Sequence, residues 1–304
     1  MAGADARILG IHHVTAIASD PQANIDFYTK FMGLRLVKKT VNFDDPGTYH
    51  LYYGDSQGRP GTILTFFPWP GVRRGRHGNG QVTVTSFAIP REAIGAWIEK
   101  LSKADIDFTG PTMRFGEEVL AFADPDGLKL ELIASIDHPG DAIHSFHSAT
   151  IMEEGYERTA RLLRETMGFH LVGQEGNRFR FAVEDWGPAQ VVDVLCSPDT
   201  ARGIVSAGTV HHIAWRTPDA GQQLRWRDTL IGLDYDVSPV MDRNYFESIY
   251  FREPGGVLFE IATDPPGFTV DEPLESLGRS LKLPPQYEAI RSRIEKALPP
   301  VFTG

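Results

Sequence analysis

The residues in this chain best suited to holding a metal are two histidine pairs and one glutamate. The pairs sit in Ile11-His12-His13-Val14-Thr15 and Val210-His211-His212-Ile213-Ala214, and the glutamate in Val257-Leu258-Phe259-Glu260-Ile261. Each stretch has the length and composition of a strand. Side chains alternate along a strand, so only one imidazole of each pair is expected to point inward. His13 shares its face with Ile11 and Thr15, and His212 shares its face with Val210 and Ala214. A lone histidine in an apolar strand is ordinarily a core residue bonded to a neighbour. A carboxylate among Val, Leu, Phe and Ile is different, because burying it without a cation costs several kcal/mol. Two neutral nitrogens and one carboxylate on a single face, with positions left open, form the donor set of Fe(II) enzymes that bind both a substrate and oxygen.

These residues belong to a repeated unit. Each copy opens with an apolar strand, continues into an amphipathic helix, and closes with strands separated by Gly/Pro/Asp turns. The opening strands are Ile11 to Ile17, Gln81 to Ile89, Phe146 to Ile151 and Val210 to Trp215. Asp20-Pro21 is a helix start, and Gly33 after Met32 is a helix stop. Strands are expected at Arg35 to Val41, Tyr49 to Tyr53 and Thr62 to Phe67 in the first copy. The tight turns between closing strands require antiparallel neighbours and exclude a parallel α/β sheet. The chain therefore reads as an α+β fold of four β-α-β-β-β modules. They divide as an N-terminal pair over 1–136, a linker at 137–141, a C-terminal pair over 142–268, and a tail over 269–304. In the tail, Leu274, Leu277, Leu281 and Leu283 precede a helical pattern from Pro285 to Leu298.

Which modules share a cavity decides the ligands. Matching the first strands aligns His13, Ser86, His147 and His212. Counting four residues past the turn glycine aligns Thr65, Glu131 and Glu260, and the third copy offers Asp193 in a looser register. If the first module pairs with the fourth, the site is His13, His212 and Glu260, with Thr65 as a non-ligand at the fourth corner. If the third pairs with the fourth, the site is His147, Asp193, His212 and Glu260, a four-ligand cage suited to a Lewis-acid isomerase. Open coordination positions favour the first arrangement. A second cluster of His147 with Glu131 or Asp193 is a further option. Tyr49, Tyr53, Phe181 and Trp215 are candidate cavity aromatics.

Hydrophobic residues make up 41% of the 304 and charged residues 23%, the profile of a globular protein with an ample core. No apolar run can span a bilayer, so no membrane partner is expected. The formal net charge of -10 disfavours nucleic acid. The basic run Arg73-Arg74-Gly75-Arg76-His77 reads as a solvated surface turn. One cysteine, Cys196, excludes an internal disulfide framework. Residues 1–7 lack the apolar core of a signal peptide, and a cytoplasmic setting is expected. Exposed strand edges leave room for a homo-oligomer.

The four modules, with the turns Asp124-Pro125-Asp126-Gly127 and Glu253-Pro254-Gly255-Gly256, resemble the vicinal-oxygen-chelate superfamily of glyoxalases and extradiol dioxygenases. The doubled His-His motifs resemble its hydroquinone-type ring-cleaving dioxygenases more narrowly. So does the tail Asp271-Glu272-Pro273-Leu274-Glu275-Ser276-Leu277-Gly278, followed by Leu281-Lys282-Leu283-Pro284-Pro285. The resemblance implies modules curled into two half-barrels. It also implies Fe(II), with Mn(II) as the alternative ion, on His13, His212 and Glu260. It places an active-site tyrosine and arginine on Tyr250 and Arg243, and a supporting hydrogen-bond network on His12, Thr15 and His211. The reaction it implies opens a small aromatic diol with both atoms of O2. The rival readings are a glyoxalase-type isomerase or lyase and a metal-free small-molecule binder.

Overall fold

A computed structural model describes residues 6–183 and 187–303. Sixteen strands form two curled eight-stranded sheets. The first module contributes β1 (Ile11–Ala18), β2 (Arg35–Val41), β3 (Tyr49–Gly54) and β4 (Ile63–Pro68), and the second β5 (Gln81–Pro90), β6 (Phe108–Arg114), β7 (Glu117–Ala123) and β8 (Lys129–Ile136). The third contributes β9 (Ser145–Glu153), β10 (His170–Glu175), β11 (Arg178–Ala182) and β12 (Val191–Cys196), and the fourth β13 (Val210–Thr217), β14 (Met241–Asp242), β15 (Phe246–Arg252) and β16 (Leu258–Pro266).

One sheet runs β14-β15-β16-β13-β1-β4-β3-β2, and the other β10-β11-β12-β9-β5-β8-β7-β6. The first module thus pairs with the fourth, and the second with the third. Each sheet takes one module from either side of 137–141. The closing strands of each module are antiparallel, as their tight turns require. The opening strand instead lies parallel to the last strand of its own module, because a helical crossover separates the two.

Local signals place these elements. Asp20 caps the helix Pro21–Asp26 by accepting from Ala23 N at 2.7 Å, and Asp219 caps Ala220–Gly232 by accepting from Gln222 N at 2.8 Å. Gly127 and Gly256 take left-handed φ of +91° and +102° in the two acidic turns. The leading acid of each turn anchors it from within: Asp124 accepts from Asp126 N and Leu128 N, and Glu253 from Gly255 N and Val257 N. Each acid also reaches the helix of a module in the other sheet. Tyr28 donates to Asp124 at 3.0 Å, and Thr159 approaches Glu253 at 2.5 Å. These contacts bolt one sheet to the other.

At the second bolt, Thr159 also lies 2.9 Å from Glu153, so one hydroxyl proton faces two buried carboxyls. Burial, reinforced by the Glu253 charge, pushes the Glu153 carboxyl up to about 9. The folded chain therefore keeps a proton that the unfolded chain releases near pH 4 to 5. Stability therefore falls as pH rises from about 4.5 to about 9, by at most about 1.4 kcal/mol per pH unit. Glu153→Gln, which mimics the protonated form, should raise Tm at pH 8.5 more than at pH 5. Melting curves displaced equally at both values would refute this account of the pair.

Of the four tail leucines, Leu274 is exposed. Leu277 and Leu283 are buried, and Leu281 bridges Lys39 at the β2 edge. Fully buried Lys38 holds the tail through Asp271 at 2.6 Å and Glu272 at 2.7 Å. The helical pattern from Pro285 resolves into a 3-10 turn, Pro285–Ile290, and a helix, Arg291–Ala297. The basic run Arg73 to His77 lies at the surface with its three arginines exposed, and Arg74, Arg76 and His77 reach the backbone carbonyls of Pro125, Arg202 and Gly127. Among the described residues no helix is long and apolar enough to cross a membrane.

Candidate metal centre

β1 and β13 lie side by side at the middle of the first sheet. Thr15 pairs with His212, and His13 with Ala214. That exchange is the mark of a local twofold axis relating the first and fourth modules. β16 lies parallel to β13 with Glu260 beside Ala214, while β4 lies parallel to β1 with Thr65 beside Thr15. His13, His212 and Glu260 consequently converge, each offering a ligand atom within 4.8 Å of the others, and all three are buried. His13 Nε2 is 3.3 Å and His212 Nε2 3.0 Å from Glu260 Oε2, and the two Nε2 atoms are 3.4 Å apart.

The surrounding hydrogen bonds determine which atoms carry protons. His12 bonds the Thr263 carbonyl, and its Nδ1 lies 2.9 Å from His13 Nδ1. His12 must donate to the carbonyl through its other nitrogen, so His13 donates Nδ1–H to His12. The Nε2 of His13 is left as a lone pair. His211 and His212 repeat the Nδ1 contact at 2.7 Å; with His212 donating there, as its twofold mate His13 does, its Nε2 is a lone pair as well. Ser248 Oγ donates to Glu260 Oε1. The buried Glu260 Oε2 has no hydrogen-bond partner. Three lone-pair atoms thus face one another with no proton between them, and a cation is what satisfies them. Burial lowers His12 and His212, and lowers His211 to about 3, so these imidazoles stay neutral as metal ligation demands.

His13 and His212 border a cavity of about 250 Å³, and the fully buried Glu260 meets both of them. Its walls include Phe43, Phe67, Trp69, Phe246 and Leu258, with Tyr250, Arg243, His50 and Tyr52 as polar points. Arg243 donates to Asp44 at 3.2 Å and 3.3 Å and to the Tyr250 hydroxyl at 3.2 Å. With that oxygen accepting from Arg243, the phenol is oriented to donate its own proton. Burial raises the Tyr250 phenol above its ordinary value, followed by the charge of Glu260, so the proton stays on. Thr15 is fully buried, 3.0 Å from Thr65 Oγ1.

Several expectations need correcting. The four-ligand cage fails because β9 and β12 carry His147 and Asp193 into the other sheet. The alignment of Ser86 and His147 with the ligands fails by register. In the second sheet Val84 pairs with Thr150 and Ser86 with Ser148, so Val84 and Ser148 occupy the ligand positions. Ser86 corresponds to Thr15, and His147 to the supporting histidines; its Nδ1 lies 3.0 Å from Ser148 Oγ. His147 pairs with Glu117 at 3.2 Å, not with Glu131 or Asp193. The cations for those two acids are guanidiniums: Arg114 on Glu131, and Arg178 and Arg180 on Asp193. His211 lines the cavity as well as supporting His212. Among the aromatics, Tyr49 and Tyr53 point away from the cavity, toward Pro299 and Asn24. Phe181 is in the other sheet, and Trp215 packs between Phe169 and Phe259.

Sequence reading missed His50, Tyr52, Ser248 and Asp44. A signal existed: His50-Leu51-Tyr52-Tyr53 matches Ser248-Ile249-Tyr250-Phe251 in alternation. Counting back from the turn glycine hides the match, because the intervening turns differ in length.

Known proteins place this arrangement. A chain from Bacillus subtilis strain 168, provisionally named ring-cleaving dioxygenase MhqO, is 49% identical over 97% of both chains. The chlorohydroquinone/hydroquinone 1,2-dioxygenase of Sphingobium indicum is 36% identical over 96% of both. A Bacillus subtilis crystal structure, described provisionally as a dioxygenase, superposes with a TM-score of 0.92 at 48% identity over 98% of both chains. Maize glyoxalase I shares the fold at a TM-score of 0.63 and 16% identity, over 84% of this chain and 92% of its own. The model of the Glyoxalase/Bleomycin resistance protein/Dioxygenase superfamily matches residues 10–132 and 145–261, and the chain belongs to that superfamily.

Proposed function

We propose that the chain is an Fe(II)-dependent ring-cleaving dioxygenase that opens a hydroquinone-like diol and places both atoms of O2 in the product. The observation that carries this reading is the donor set: two neutral imidazoles that line a cavity and one buried carboxylate in reach of both, with Thr65 where a fourth ligand would stand. Relatives named as ring-cleaving dioxygenases along their whole length support it. His13, His212 and Glu260 would hold the ion. When bound, it would supply Lewis-acid stabilisation of a substrate hydroxylate and a route for electrons from ring to oxygen.

The chain's own residues do the rest. His12 and His211 fix the ring orientation and tautomer of the ligand histidines, and Ser248 fixes the carboxylate. Phe43, Phe67, Trp69, Phe246 and Leu258 give the ring an apolar slot and limit water. Tyr250 donates its proton to oxygen that gains negative charge during the reaction. Arg243 keeps that phenol oriented, and its pair with Asp44 ties the fourth module to the first at the cavity edge. In the balanced reaction one ring carbon–carbon bond breaks beside a hydroxyl-bearing carbon, and each severed carbon gains one oxygen atom. A small aromatic diol and O2 are then the only partners the chemistry requires.

The test is anaerobic loading with Fe(II), then oxygen uptake with hydroquinone and with catechol. The expected result is one O2 consumed per ring opened, faster with hydroquinone. No uptake with any diol at full metal occupancy would overturn the reading.

A further inference from the structure

The local twofold that relates His13 to His212 also relates two tyrosines. Tyr250 on β15 pairs with Glu260 on β16, and Tyr52 on β3 pairs with Thr65 on β4. Both tyrosines line the cavity. One step along each strand pair, His50 takes the place of Ser248. Where Ser248 bonds Glu260, His50 Nε2 lies 2.7 Å from Thr65 Oγ1. His50 Nδ1 lies 2.9 Å from the Tyr52 hydroxyl, and Thr65 Oγ1 lies 3.0 Å from Thr15 Oγ1. The result is a chain of four groups, Tyr52–His50–Thr65–Thr15, that meets the cavity at its Tyr52 and His50 end.

Counting protons gives this chain its property. Burial lowers His50 well below its ordinary range, so the imidazole is neutral and carries one proton. Four groups then bring four protons to three contacts, and one proton is left over. In one polarity Tyr52 donates to His50, His50 to Thr65 and Thr65 to Thr15, and the Tyr52 oxygen offers the cavity a lone pair. In the opposite polarity every donor reverses, and Tyr52 offers the cavity its O–H. Tyr250 is biased towards donating, because Arg243 already donates to its oxygen at 3.2 Å.

We infer that Tyr52 is a second substrate-contacting hydroxyl, that His50 is the positioning residue setting its donor or acceptor sense, and that together they read the distal hydroxyl of a para-diol. The inference rests on the ring-cleaving reading above and deepens it. A para-diol carries oxygens at opposite ends of its ring. The first is held as a hydroxylate at the ligand triad, beside the donor Tyr250. The second remains a neutral hydroxyl and needs a partner that can accept or donate. Without one, a buried hydroxyl loses its hydrogen bonds to water and gains nothing in return.

A plain wall residue would act otherwise. Tyr52 also packs edge-on against Tyr245 and Phe268. If packing were its whole role, its loss would weaken every aromatic ligand alike.

The experiment measures anaerobic binding of hydroquinone and of phenol to the Fe(II)-loaded full chain by isothermal titration. The wild-type chain is expected to prefer hydroquinone about tenfold, the worth of roughly 1.4 kcal/mol. Tyr52→Phe keeps the ring and should bring the ratio within twofold. His50→Leu leaves Tyr52 in place but cuts the chain, and should reduce the ratio independently. His50→Gln, able to bond both neighbours, should restore part of it. A wild-type ratio retained in both Tyr52→Phe and His50→Leu would overturn the inference, as would equal weakening of both ligands. A wild-type chain that binds neither compound and consumes no oxygen with any diol would overturn the ring-cleaving reading, and the inference with it.

Discussion

Glu260→Gln is expected to lose its metal and, with it, oxygen uptake. The substitution removes the only negative charge among the ligands and changes little else in shape. Ser248 donates to Oε1, which fixes the amide with its oxygen toward Ser248. The amide NH2 then faces the Nε2 atoms of His13 and His212, which stand 3.3 Å and 3.0 Å from Oε2 in the wild-type chain. Its protons would satisfy the lone pairs that a cation satisfies in the parent. The triad becomes self-contained, so the variant should fold at least as well without metal. Affinity for Fe(II) should fall more than about 100-fold, since that much follows even from losing an outer partner of a ligand. His147→Ala, in the other sheet, should retain metal. Metal analysis after desalting, beside oxygen-electrode traces, checks both variants. Full Fe(II) retention in Glu260→Gln would contradict the ligand assignment.

The second large effect is expected at Tyr250. Tyr250→Phe preserves the ring that meets His212 edge-on at 5.8 Å and removes only the hydroxyl. That hydroxyl is oriented to donate its proton, because Arg243 already donates to its oxygen. A donor aimed at charge that develops during reaction acts on kcat more than on KM. Removal of a positioned acid group costs about 100-fold or more. The oxygen-uptake rate at saturating diol should fall by about that factor with KM changed far less. A loss below threefold would return Tyr250 to the role of a wall aromatic.

The three groups that converge were legible in the sequence, one of them by a local contradiction and two by strand alternation. A carboxylate inside Val-Leu-Phe-Glu-Ile makes no sense without a cation, and strand alternation sorts His13 from His12 and His212 from His211. The module architecture was legible from its turns, since Gly127 and Gly256 sit where a left-handed backbone is needed. What remained hidden was relational. Ser86 and His147 looked like ligand equivalents because the repeats align loosely by eye. Only the register of β5 against β9 shows that Val84 and Ser148 hold those places. The cations that replace a metal in the second sheet, Arg114, Arg178 and Arg180, lie on other strands than the acids they serve. His50 and Tyr52 escaped for a similar reason. Their significance lies in a twofold axis, and a strand such as Tyr-His-Leu-Tyr-Tyr offers aromatic candidates on both faces. Tyr49 and Tyr53 were singled out where the opposite face, with His50 and Tyr52, lines the cavity.

The most direct measurement is an anomalous-scattering map at the iron edge from crystals of the chain grown and loaded with Fe(II) without oxygen. The expected map has one strong peak per chain, within bonding distance of His13 Nε2, His212 Nε2 and Glu260 Oε2. A peak beside His147, or none within reach of those three atoms at full iron content, would contradict the account.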